Sequence, residues 1–259
     1  MKYFLLILFF FFPNFLYAQR INEWKTVSPD KSLQFILSNN EGKLYYQVLS
    51  GNDIIVKSSR LGIERADESF TDYLSLINAT ATTIDEHYTL KIGKKKINYA
   101  NANGTSIEFK NNHNAIVYVD MRVYNDGVAF RYRFEAPAKK VTVKNEATEF
   151  VIPEGKTWIQ NYDLPAQWNP SYEGPYMNAI PAGTTAKDSS GWAFPALFQS
   201  MITGCLLQKV IWMVIIVVLI YSNIVKMEFT KLLFPLQVKQ MVWLIFILLQ
   251  PFLLQHHGA

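Results

Sequence analysis

Few residues of this 259-residue chain have types and spacings suited to chemistry. Asp85 and His87 lie two apart and share one face of a strand, where a carboxylate and an imidazole could meet a cation. His113 does not follow them at a recognisable ligand spacing, so ordinary surface or core histidines are expected. Lys91, Lys94, Lys95 and Lys96 form a basic run. On an edge strand or turn such a run discourages unwanted pairing more often than it binds phosphate. Cys205 is the single cysteine, which excludes a disulfide framework and a thiolate zinc site. Glu173 sits among Tyr162, Trp168, Tyr172 and Tyr176 in a segment rich in Pro, Gly and Asn. Long irregular loops of this kind usually serve a site or an interface. On its residues alone, Glu173 reads as a solvated loop acid.

The elements that must position these groups fall into three blocks. Met1 to Ala18 has Lys2 before an apolar run, Pro13 breaking it, and small Ala18 at a cleavage edge, the pattern of a secretory signal peptide. A run of about ten residues is too short for a membrane span, which needs roughly 20. A secreted or periplasmic location is therefore expected. The formal net charge of +4 comes from Lys2 and from Lys209, Lys226, Lys231 and Lys239 against Glu228. The middle of the chain is neutral and gives no argument for nucleic acid or an anionic membrane.

That middle block, residues 19–199, reads as β structure. Leu33-Gln34-Phe35-Ile36-Leu37, Leu44-Tyr45-Tyr46-Gln47-Val48-Leu49 and Ile54-Ile55-Val56 are separated by clusters of Ser, Asn, Asp and Gly, as in an antiparallel meander. The clearest hairpin has Val117, Val119, Met121 and Val123 alternating with Tyr118, Asp120, Arg122 and Tyr124. Its second arm alternates Val128, Phe130, Tyr132 and Phe134 with Ala129, Arg131, Arg133 and Glu135. A period of two on both arms buries one face, and the Asp126-Gly127 pair is expected to supply the positive φ of a tight turn. No sustained helical period occurs before Trp158, so the fold class is all-β, a large antiparallel β-sandwich.

The order of segments resembles the N-terminal domain of glycoside hydrolase family 97, the calcium-dependent bacterial α-glucosidases and α-galactosidases. The resemblance rests on Ser28-Pro29-Asp30, Ser59-Arg60-Leu61-Gly62, His87-Tyr88-Thr89-Leu90 and Gly93-Lys94, and most of all on Met121 to Tyr132 with its Asn125-Asp126-Gly127 turn. Pro153, Gly155, Trp158, Tyr172-Glu173 and Phe194-Pro195-Ala196-Leu197-Phe198 complete it. It implies a galactose-mutarotase-like super-sandwich that packs against a (β/α)₈ barrel carrying the catalytic carboxylates. It also implies that Glu173 lends one ligand to calcium at the barrel's active site, and that the partners are α-glycosides. Glycoside hydrolysis needs two carboxyl groups across the scissile bond; the chain is expected to stop before them, leaving an incomplete sandwich without catalytic residues and without calcium of its own. The Tyr and Trp residues of 158–176 could stack on sugar, but packing against the barrel explains them equally.

From residue 200 to 259 acids nearly vanish and two apolar runs appear, Val210 to Val225 and Met241 to Leu254. Runs of Ile, Leu, Val and Met are compatible with helices, and a stand-alone carbohydrate-binding module tethered to a membrane by such helices is the alternative reading. The genetic code offers another origin. Joining the third base of each codon to the next two, Trp212-Met213-Val214 forces Asp-Gly, and Gln255 to Ala259 permits Thr-Pro-Trp-Arg. A one-base slip near Ser200 is therefore expected, with a hydrophobic tail that was never selected to cross a bilayer.

Overall fold

The computed structural model describes residues 22–91, 96–134, 142–161, 175–186, 191–200, 203–210, 220–222, 226–228 and 243–249. All regular elements among them are strands. A first meander contains β1 (Asn22–Val27), β2 (Leu33–Asn40), β3 (Lys43–Ser50) and β4 (Asp53–Leu61). Short β5 (Ile63–Arg65) and β6 (Ser69–Phe70) lead to a second meander of β7 (Ser75–Thr89), β8 (Ile97–Lys110), β9 (Ile116–Tyr124) and β10 (Gly127–Phe134). Then come β11 (Val143–Glu146), β12 (Lys156–Asn161), β13 (Met177–Pro181), β14 (Trp192–Ser200) and β15 (Thr203–Val210). The last described pieces are β16 (Ile220–Ser222), β17 (Lys226–Glu228) and β18 (Trp243–Leu249).

The first meander is one sheet, and a nine-stranded sheet runs β13-β12-β14-β15-β18-β10-β9-β8-β7. The core forms where β1 and β2 lie over β8, β9 and β10. Period-two alternation sends Leu33, Phe35 and Leu37 inward from β2, Leu44, Tyr46 and Val48 from β3, and Val117, Val119, Met121 and Val123 from β9. Phe35 stacks on Tyr46 at 5.4 Å, and Phe130 reaches both rings, at 5.9 Å and 5.3 Å. Tyr46 also hydrogen-bonds through its hydroxyl to the Glu149 carbonyl at 2.8 Å, so a buried ring keeps its polar end satisfied.

Turn chemistry fixes register in the first meander. Asn40 pairs with Lys43, leaving Glu41 and Gly42 as a two-residue loop with φ of 51° and 82°. Two positive φ values match the type I′ turn, whose twist suits flanking strands. The Asn125-Asp126-Gly127 turn differs from expectation. Gly127 is already the first residue of β10 and pairs with Ile247, and neither it nor Asp126 is among the positive-φ residues. This loop is braced from outside instead, where the Asn125 Oδ1 accepts the Asp30 backbone N–H at 3.1 Å.

Gly155 shows why a small residue is needed before β12. A Cβ built there would run into the backbone carbonyl of Gln199 on β14. Backbone cannot yield as a flexible side chain can, so Gly155→Ala is expected to destabilise the fold by about 1–3 kcal/mol, read as a lower urea midpoint at unchanged slope. An unchanged midpoint would show that the two strands separate freely.

Strand pairing continues past residue 199, the expected start of the tail, and the described residues beyond it are strands. β15 pairs with β14 from Ser200↔Thr203 to Ala196↔Leu207, and β18 lies between β15 and β10. Cys205 and Leu207 are buried while Gly204, Leu206 and Gln208 are half-buried, the alternation of a strand and not of a helix. Among the described residues no helix is long and apolar enough to cross a membrane.

The far end of the β7–β8 hairpin extends past its neighbours. β9 pairs with β8 only from Ala102 to Lys110, so among the described strands Asp85–Thr89 and Ile97–Asn101 are laddered only to each other. Tyr88, Ile97 and Tyr99 are 48%, 54% and 64% exposed there.

Candidate functional site

Glu173, Tyr162, Trp168 and Tyr172 lie outside the described residues, as do Lys94, Lys95 and the segment Met1 to Ala18. The other candidates are not brought together. Asp85 and His87 meet at 3.3 Å on the exposed hairpin end, with His87 edge-on to Tyr99 at 4.7 Å. His113 instead faces Glu68 at 3.1 Å. Hydrogen bonds from Asn111 and then His113 hold the Glu68 carboxyl below its ordinary pKa. Cys205 is buried and its thiol is pushed up to about 12 by that burial, which keeps it protonated and inert. Among the described residues no group of three or more His, Cys, Asp or Glu could hold a metal ion. Calcium wants roughly six to eight oxygen ligands.

The resemblance motifs prove to be structural joints. Ser28 donates to Asp30 Oδ1 at 2.6 Å, and Ser32 donates to the same oxygen through its hydroxyl and its N–H. Those bonds hold the Asp30 carboxyl low. The Gly62 N–H donates to the Tyr132 hydroxyl at 2.8 Å, and Thr148 links that hydroxyl to Glu146. Burial, with the Glu146 charge nearby, pushes the Tyr132 phenol up, so it stays neutral.

The most concentrated chemistry is a cluster that the sequence reading noticed only as the polar half of a hairpin. Register places Asp120 of β9 opposite Arg131 of β10. Asp120 Oδ2 accepts from the Nε of Arg131 at 2.9 Å and of Arg133 at 3.0 Å. Its Oδ1 accepts from Ser106 of β8 at 2.6 Å and from Arg133 Nη2 at 3.2 Å. Burial alone would raise the Asp120 pKa, and is the largest influence, but the bonds from Arg133, Ser106 and Arg131 together outweigh it and hold the carboxyl low. Arg133 also lies over the Tyr118 ring at 3.8 Å. The sequence signal was present: carboxylate and guanidinium at alternate positions of two paired strands face each other across the ladder.

A four-stranded sheet laid over a nine-stranded one, with motif residues serving as joints, defines a large antiparallel β-sandwich domain. The chain belongs to the glycosyl-hydrolase 97 N-terminal family, whose model matches residues 26–208. The match runs past residue 199 and ends inside β15. A curated relative is a probable retaining alpha-galactosidase of Streptomyces bingchenggensis (strain BCW-1), 28% identical over 135 residues, which are 52% of this chain and 21% of the relative. Among solved structures, a β-arabinopyranosidase superposes with a TM-score of 0.76 at 23% identity, covering 87% of this chain and 40% of that one. A glycoside hydrolase family 97 enzyme of Pseudoalteromonas sp. strain K8, solved with acarbose and, as a variant, with panose, gives a TM-score of 0.70 at 17% identity. It covers 88% of this chain and 36% of that one. The chain thus spans well under half the length of these relatives.

Proposed function

We propose that this chain supplies the sandwich domain of an exported α-glycosidase of family 97, with hydrolysis itself residing outside residues 26–208. The family match over those residues is the observation that carries the reading. In this reading Glu173 contributes one carboxylate to a calcium ion whose remaining ligands come from elsewhere, and the carbohydrate partner is an α-glucoside or α-galactoside. The chain is exported with cleavage after Ala18, giving a secreted or periplasmic product that starts at Gln19 by mass. Residues 200–259 are read as the product of a one-base slip near Ser200. Resequencing across the codons of Gln199 to Thr203 and translating onward in the other frame tests this, and an unaltered frame with a stop codon in the other one would sink it.

The decisive assay offers the purified full chain aryl α-glucosides and α-galactosides with and without calcium. No turnover is expected in either condition. Clear hydrolysis by this chain would overturn the assignment of catalysis to another part of the enzyme. Affinity for panose combined with detergent partitioning of the tail would support a tethered binding module instead.

A further inference from the structure

The nine-stranded sheet is continuous only through β18. On one side of it lie β13, β12, β14 and β15, and on the other β10, β9, β8 and β7. Among the described strands nothing else joins β15 to β10, so Trp243–Leu249 fills a gap between two four-stranded blocks. Both walls of the gap pair with it. β18 runs antiparallel to β15 over Gly204–Val210 and antiparallel to β10 over Gly127–Phe130.

Register says what the gap asks of an occupant. Val128, Phe130, Cys205 and Leu207 on the walls are buried in the core. Leu244 is paired with Phe130, Phe246 with both Val128 and Leu207, and Leu248 with Cys205. Every second position of the segment thus stands in register with a core residue of a wall, and each of the three is apolar. The segment is not the hairpin continuation of either wall, since it follows Val210 by more than thirty residues. Loop-closure entropy grows slowly with length, so a connection of that size neither prevents entry nor dictates which segment enters. A wall strand without its neighbour presents unpaired N–H and C=O groups, a template for an extended chain.

We infer that the gap between β10 and β15 is a strand-acceptor site for an extended peptide with apolar residues at alternate positions. In this chain Trp243–Leu249 fills it, and an external peptide of the same pattern enters when that segment is withdrawn. The inference rests on strand order and register, and stands whichever reading frame encodes the segment.

Two experiments on the full chain test it. Leu248→Cys, refolded in a glutathione redox couple, is expected to form a disulfide with Cys205, because directly opposed residues of antiparallel strands have Cα atoms about 4.5–5.5 Å apart, within disulfide range. Ile247→Cys, one position off and so on the other face, is expected to stay reduced. A disulfide in neither variant, or equally in both, would overturn the occupancy of the gap. Phe246→Pro removes a ladder donor from the middle of the segment and opens the gap. A fluorescent peptide Lys-Leu-Thr-Phe-Thr-Leu-Lys is expected to bind that variant about tenfold or more tighter than the unaltered chain, whose own tethered strand competes at an effective concentration of about millimolar. A peptide of the same composition with its three apolar residues consecutive cannot put them all on one face, and is expected to bind neither chain. Equal binding of the two peptides, or of the first peptide by both chains, would overturn the acceptor site. Should Phe246→Pro not fold alone, refolding by the first peptide and not by the second is the expected result, and refolding by neither would overturn the exchange.

Discussion

Replacing Asp120 with alanine is expected to cost about 3 kcal/mol at neutral pH, toward the lower end for removing one partner of a buried ion pair. The mutation leaves Arg131 and Arg133 side by side without their shared acceptor, and removes the carboxylate to which the Ser106 hydroxyl donates. The residual exposure of the two arginines, 18% and 31%, keeps the loss from being larger. The effect has a pH signature. The Asp120 carboxyl is held low in the folded protein, so its contribution is fully present above the ordinary carboxylate range and is lost as pH falls through the lowered value. Urea midpoints of the two proteins should therefore converge on acidification. A gap that stayed constant from pH 7 downward would mean that Asp120 acts through packing and not through charge.

Phe130→Ala should cost more, about 3–5 kcal/mol, because it deletes a large buried ring and leaves a cavity that rigid sheets close poorly. Phe130 is 2% exposed and joins residues of both sheets, touching Phe35 and Tyr46 across the layer and Tyr132 along its own strand at 6.2 Å. Phe130→Leu keeps most of the volume and should lose markedly less. Thermal melts of the two variants check this. A loss below about 1 kcal/mol for the alanine would be typical of a surface site, and would show that the two layers do not depend on this ring.

The inward face of the sandwich was legible because its strands alternate strictly. Val117 to Val123 and Val128 to Phe134 read the same in sequence and in structure. The outward face was not, for a physical reason: Asp120, Arg131 and Arg133 look like solvated charges in a polar–apolar alternation. They become a partly buried network because registry sets Asp120 opposite Arg131, while Arg133 and Ser106 close on the same carboxylate. Turn residues misled once, since Asp126-Gly127 suggests a positive φ, whereas the contact from Asn125 to Asp30 holds that loop. The composition break after residue 199 drew attention to the apolar runs and away from Thr203–Val210, whose alternation with Cys205 and Leu207 inward shows only once its partner strand is known. Glu173 rests on family resemblance alone, as it lies outside the described residues.

The unsupported end of the long β7–β8 hairpin gives the molecule two levels of cooperativity. A ribbon only two strands wide is marginal in water. Opening Asp85–Thr89 away from Ile97–Asn101 breaks a ladder that no third strand among the described residues shares and uncovers side chains already wetted. Such sub-global opening should exchange amide protons far faster than the layers beneath Phe130. The same freedom lets that ribbon rearrange against another surface without disturbing the core.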